Sequence, residues 1–183
     1  MNKKYTFVLD VDGVLTDGSF LYDANGKAYK RFGADDSDAL KLISDQVNIL
    51  FVSADHRGFS ISKKRVEDMG FKIENVKSKD RVLYIQEHFG LENTIYMGDS
   101  FEDIPIFQNV KYSICPANSL DCVKKEADYV TKQNGGDRAV ADAVMHLINN
   151  TGFIERPRDE EGNYLEGVWL EQFMRAHGYY SFK

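Results

Sequence analysis

Short apolar runs alternate along the chain with longer segments whose apolar residues recur at helical spacing. The runs at 5–9, 48–52, 72–76, 94–97, 112–114 and 129–131 have the length and composition of buried strands. Between them, 38–44 carries Ala39, Leu40, Leu42 and Ile43, 60–69 follows a glycine, and 81–89 carries Val82, Ile85 and Phe89. The segment 101–108 follows Ser100, and 137–149 sets Val140, Val144, Leu147 and Ile148 on one stripe behind a capping Asp137. The alternation predicts an α/β chain, a Rossmann-like three-layer sandwich around a mainly parallel sheet.

Two segments break the rhythm. Residues 19–32, SFLYDANGKAYKRF, predict a β-hairpin insert directly after the first strand, turning on Asn25-Gly26. After residue 150 the chain becomes charged and then aromatic, holds the only tryptophan, Trp169, and predicts a short helix over 165–176. The expected organisation is one domain over 1–150 and a tail over 151–183 that docks on a neighbouring subunit.

Charge narrows the function classes. The chain has 183 residues with 23 basic and 29 acidic side chains, a formal net charge of −6, which argues against nucleic acid as a partner. Only two cysteines occur, Cys115 and Cys122, without zinc-ligand spacing, and they predict reduced thiols in a cytoplasmic protein. The first apolar run stops at Asp10, too short for a signal core, and no run reaches the roughly 18 residues of a membrane span. Of the 29 acids, 18 are aspartates, residues that favour turns, caps and metal sites over helix surfaces.

Four of those aspartates sit at strand ends. In FVLDVDGVLTDG, the first strand delivers Asp10 and Asp12 to the carboxyl edge of the sheet, where ligands of open α/β sheets bind. One carboxylate can attack phosphorus while the other gives a proton to the leaving oxygen. Taken alone, the pair also reads as a strand-end and a turn-capping residue. In YMGDSFEDIP, Asp99 and Asp103 end another strand and open a helical turn, so both can face one cation; helix capping is the alternative for this pair alone. The two pairs together favour a Mg²⁺ site. A third strand, ILFVSAD, ends in the hydroxyl of Ser53, and KSKDR offers Lys79 or Arg81 as the cation for a phosphate group.

These four signals, in order on successive strand ends, resemble the haloacid dehalogenase superfamily of aspartate-nucleophile phosphatases. DVDGVLTDG, the hairpin, the YKRF run and ADYVTKQNGGDRAV are similar to its capless branch, which includes the 3-deoxy-D-manno-octulosonate 8-phosphate and nonulosonate 9-phosphate phosphatases; the resemblance spans about residues 5–150. It implies a fold with no cap domain and a small phosphomonoester, a phosphorylated sugar or sugar acid, as substrate. It implies Asp10 as nucleophile, Asp12 as acid and base, and Mg²⁺ held by Asp10, the Asp12 carbonyl and Asp99. Asp103 and Thr16 would support them, with Ser53 and Lys79, or alternatively Arg81, on the phosphate. It also implies a homotetramer built through the hairpins, with Phe20, Leu21, Tyr22, Tyr29 and Phe32 at the interface.

Three departures stand out. Ala54 and Asp55 follow Ser53 where a glycine and a basic residue are usual, which nominates His56 or Arg57 as the basic group. Arg81 stands in the usual lysine slot, with Lys79 preferred as the phosphate contact by a shift of the gap. Asp35 occupies the place of an arginine that meets a substrate carboxylate, so a neutral phosphosugar or a nucleotide is the competing substrate. A non-catalytic phosphoacceptor is the competing function.

Overall fold

The computed structural model describes residues 3–155. In chain order its elements are β1 (Thr6–Asp10), the hairpin strands β2 (Leu21–Asp23) and β3 (Gly26–Tyr29), α1 (Asp35–Ile43), β4 (Asn48–Ser53) and α2 (Phe59–Asp68). There follow β5 (Lys72–Asn75), α3 (Arg81–His88), β6 (Thr94–Met97), α4 (Ile104–Phe107), β7 (Tyr112–Cys115), α5 (Asp121–Lys124), β8 (Tyr129–Val130) and α6 (Ala139–His146). Single 3₁₀ turns at Ser78–Asp80 and Phe101–Asp103 lead into α3 and α4.

Six strands form one parallel sheet in the order β5-β4-β1-β6-β7-β8, the α/β class that the hydrophobic pattern predicts. Strand β1 is central and buried at all five positions. Its alternate residue Val8 joins Leu50, Val52, Tyr96, Ile85, Ile106, Phe107 and Val123 in one core cluster, the side covered by α3, α4 and α5. Phe7, Leu9, Phe51, Ile95 and Met97 point to the opposite face and are equally buried, so the sheet is covered on both sides.

The order also locates the site. From β1 the chain winds outward through β4 to β5, then returns to the other flank of β1 for β6, β7 and β8. The winding therefore reverses between β1 and β6, and the carboxyl end of such a reversal is where α/β sheets open a crevice. Asp10 ends β1, and Asp99 follows β6 by two residues.

Several boundaries differ from the pattern. Helix α1 starts at Asp35 because three acids, Asp35, Asp36 and Asp38, occupy its first turn and favour its amino end. The expected helix over 101–108 splits into a 3₁₀ turn and four α-helical residues, with Pro105 in the first turn of the latter. The short α5 carries too little periodicity to be read from sequence. The chain divides into two compact units, Met1–Met145 and His146–Lys183. The described part of the second opens with a π-helical turn, Leu147–Thr151, which the Thr151 hydroxyl closes by donating to the Leu147 carbonyl (2.8 Å). The tail helix expected at 165–176 lies outside the described residues.

Candidate active site

The backbone after β1 turns sharply. The amides of Val14, Leu15 and Thr16 all reach the Val11 carbonyl, at 3.3, 2.9 and 3.0 Å. The buried Thr16 hydroxyl accepts from the amides of Gly13 and Gly18, both at 3.2 Å, and Thr16 bridges to Phe32 at the end of the hairpin segment. Thr16 thus shapes the turn that carries Asp12. Gly13 has a φ of +91°, and a β-carbon there would lie 2.1 Å from Asp99 Oδ2. A glycine is needed for Asp99 to lie against this turn. Gly135 serves a similar close approach, since a β-carbon would fall 1.8 Å from the Gly13 carbonyl oxygen.

Asp10 is buried, and its Oδ1 accepts from the Val11 amide at 2.7 Å. Arg81 takes both of its oxygens, Nη1 to Oδ2 at 2.8 Å and Nη2 to Oδ1 at 3.2 Å. The same Nη1 reaches the Tyr96 hydroxyl at 2.9 Å and Asp103 Oδ1 at 3.2 Å. Asp103 uses both oxygens in support: Oδ1 also accepts from Tyr96 (2.7 Å), and Oδ2 accepts from the amides of Asp99 and Ser100 at 3.0 and 2.9 Å. With Ser100 it completes a capping box, so the capping and the site-building readings of Asp103 are both true.

Around Asp12 the site is built by the hairpin segment. Lys30 Nζ, with no exposed side-chain surface, lies 2.7 and 3.0 Å from the two oxygens of Asp12, 3.0 Å from Asp55 Oδ2 and 2.9 Å from Ser62 Oγ. Lys27 pairs with the other Asp55 oxygen at 2.7 Å and sits 3.5 Å from the centre of the Phe20 ring. Ser53 is buried, and its hydroxyl is 3.4 Å from Asp12 Oδ2.

Five carboxylates, Asp10, Asp12, Asp55, Asp99 and Asp103, thus face three cations, Lys27, Lys30 and Arg81. The surplus shows in the acid strengths. Burial raises the Asp10 and Asp12 carboxyls above their usual range, against the pull of Arg81 on the first and Lys30 on the second. Asp99 is pushed up to about 7 by burial and by the neighbouring Asp10, Asp103 and Asp12. Asp55 goes the other way: Lys27 and Lys30 outweigh its burial and hold it at about 2. Asp10, Asp99 and Asp103 each offer one oxygen within 4.8 Å of the others, a donor set of hard oxygens suited to a divalent cation. A double positive charge at this place would cancel the surplus.

Comparison with known proteins agrees with this geometry. Residues 74–144 match the family model of the haloacid dehalogenase-like hydrolases. The chain is 33% identical over 151 residues to the 3-deoxy-D-manno-octulosonate 8-phosphate phosphatase KdsC of Haemophilus influenzae, covering 79% of this chain and 83% of the relative. The chain belongs to the haloacid dehalogenase-like hydrolases. Within them it is a KdsC-like phosphatase, a phosphoric monoester hydrolase. The cobalt-bound YrbI phosphatase of H. influenzae superposes with a TM-score of 0.69 at 31% identity, covering 79% of this chain and 88% of that one. The Moraxella catarrhalis enzyme, solved with magnesium, phosphate and a KDO molecule, shares the fold with a TM-score of 0.68 at 24% identity over 79% of this chain and 87% of its own.

At the three departures from the family pattern the structure places the side chains as follows. Lys79, the preferred phosphate contact, has an exposed side chain beside a cavity lined by Val82, Phe101 and Pro105, whereas its alternative Arg81 reaches Asp10. His56 and Arg57 are also exposed, and the ammonium beside Asp12 and Asp55 comes from Lys30, a residue of the YKRF run for which no site role was expected. Asp35 pairs with Arg138 (2.5 Å), so the acid expected to repel a substrate carboxylate carries its own counter-charge. The neighbouring Asp36 is buried and accepts from the Ala141 amide at 2.9 Å in the first turn of α6.

Among the described residues, no helix is long and apolar enough to cross a membrane.

Proposed function

We propose that this phosphatase hydrolyses a small phosphorylated sugar acid of the 3-deoxy-octulosonate 8-phosphate type, with Mg²⁺ and through an aspartyl-phosphate on Asp10. The observation that carries this is the delivery of Asp10 and Asp12 from one strand end into a site where Arg81 holds the first and Asp99 stands beside both. The 33% identical relative acts on 3-deoxy-D-manno-octulosonate 8-phosphate, and the 31% identical structure is a cobalt-bound form, which supports the substrate class and a divalent ion.

Asp10 attacks phosphorus while the ester oxygen departs with a proton from Asp12, leaving phosphate on the Asp10 carboxylate. Asp12, now ionised, takes a proton from water as that water attacks the same phosphorus, and inorganic phosphate is released. Because Arg81 engages both Asp10 oxygens, it is placed to pass donors to the phosphoryl oxygens as Asp10 bonds to phosphorus. Ser53 is the hydroxyl available beside Asp12 for another phosphoryl oxygen. Asp10, Asp99 and the Asp12 carbonyl would hold Mg²⁺, with Asp103 keeping the loop in shape. The ion supplies charge neutralisation between the acids and the transferring group.

Arg138 pairs with Asp35 and also lies 3.6 Å from Asp137, so Asp35 is at least partly neutralised and does not by itself disfavour a sugar acid. The exposed Leu21, Tyr22 and Tyr29 on the hairpin support a homotetramer assembled through that element, and we place the protein in the cytoplasm. A panel of 3-deoxy-octulosonate 8-phosphate, neutral sugar phosphates and nucleotides with Mg²⁺ tests the reading. Phosphate release fastest from the sugar-acid ester, lost in Asp10→Asn, is expected; fastest release from a neutral ester would overturn the substrate assignment.

A further inference from the structure

Resting on the acid and base role of Asp12 proposed above, we infer that Lys30 is a positioning residue for the reaction, delivered by the hairpin to fix the Asp12 carboxylate at the leaving oxygen. A lysine on a surface hairpin is ordinarily solvated. Here the ammonium is removed from water and spans both Asp12 oxygens, Asp55 Oδ2 and Ser62 Oγ, at 2.7 to 3.0 Å. One ammonium thereby ties together the turn after β1, the loop after β4, and α2.

The surroundings leave little freedom. A β-carbon at Gly58 would fall 2.9 Å from Lys30 Cε and 2.3 Å from Asp55 Oδ2, so a bare backbone packs against the lysine stem and its partner. Asp55 is anchored independently by Lys27 at 2.7 Å and by the Gly58 amide at 3.2 Å. The anchored Asp55 and Ser62 therefore fix the ammonium, and the ammonium fixes Asp12. The hairpin directly after the first strand thereby brings a cation to Asp12, while Arg81 serves Asp10.

A residue that orients Asp12 matters most when the departing oxygen needs a proton. An alkyl phosphate releases a poor leaving group that must be protonated, whereas p-nitrophenyl phosphate releases a phenolate that need not be. Lys30→Met is expected to slow the first-turnover transfer from 3-deoxy-octulosonate 8-phosphate by about 100-fold, within the range for a positioned acid. The burst from p-nitrophenyl phosphate should change by no more than about threefold on the same grounds. A merely structural role would slow both transfers alike, and that result, or no change in either, would overturn the inference. If Lys30→Met does not fold, Lys30→Gln with Asp55→Asn removes the ammonium and one of its charged partners together, and the same divergence between the two esters is expected. Asp10→Asn run alongside separates the two readings: hydrolysis that survives it would refute the Asp10 mechanism, while an equal loss on both esters in an Asp10-dependent enzyme would refute the role of Lys30 alone.

Discussion

Arg81 grips both carboxylate oxygens of Asp10, at 2.8 and 3.2 Å, from the first residue of α3. A guanidinium fork matches a carboxylate in this way, and a lysine ammonium does not. Burial works against its charge, but Tyr96, Asp10 and Asp103 more than offset that and raise its pKa.

Arg81→Lys should keep the fold and lower kcat/KM on the order of 100-fold, the scale of losing one aimed donor in a dry site. Lys79→Ala should stay within about twofold of the parent, as surface changes away from a site do. Steady-state kinetics on the two variants check this, and a larger loss in Lys79→Ala than in Arg81→Lys would return the phosphate contact to Lys79.

Gly13→Ala would set a methyl 2.1 Å from Asp99 Oδ2 at a φ of +91°. The strained backbone costs about 1 kcal/mol, and Asp99 must move away. The Mg²⁺ concentration needed for half-maximal activity should rise by roughly 10- to 100-fold, as when the orientation of a metal ligand is lost. A metal titration of the variant, together with its thermal melt, measures both effects.

Asp36 gives a pH signature remote from the chemistry. Burial, against the Ala141 amide and helped by Asp35, lifts its carboxyl from the usual 3.8 to about 6. The folded state therefore holds this proton more tightly than the unfolded chain. Its contribution is full below the unfolded pKa and is lost as pH rises through about 6. The change amounts to roughly 3 kcal/mol across that window. Asp36→Asn keeps an acceptor for Ala141 without the titration. Denaturant melts from pH 4 to 7 should show the parent losing stability relative to the variant, and parallel profiles would contradict the assignment.

How much of this was legible in the chain depends on what each residue does. Asp10 ends the buried strand β1, Asp12 and Asp99 follow β1 and β6 by two residues, and Asp103 lies in the turn after β6, so all four could be placed at the one edge where strand ends of a sheet meet. The preference between Lys79 and Arg81 was resolvable in principle: Arg81 lies four residues before Ile85, on the buried stripe of α3, whereas Lys79 sits in the preceding 3₁₀ turn. Tyr96 shares the face of Asp10 by strand alternation, but its hydroxyl partners come from α3 and from the turn after β6, which alternation does not report. Lys30 stands in the YKRF run that carries the family resemblance, but nothing local tells what its side chain meets. Its importance comes from contacts 18 and 32 residues away, and a lysine in a polar hairpin looks the same whether it meets water or a buried carboxylate. The pairing of Asp35 was hidden for a similar reason, because its counter-charge, Arg138, is 103 residues distant.

The central claim is that the Asp10 carboxylate becomes covalently phosphorylated. Rapid quenching during turnover of the phosphate ester, followed by borohydride reduction and peptide mass analysis, measures this directly. Conversion of residue 10 alone to homoserine, absent in Asp10→Asn, is the predicted result. An unmodified Asp10 in an enzyme trapped during active turnover, or reduction at another carboxylate, would contradict it.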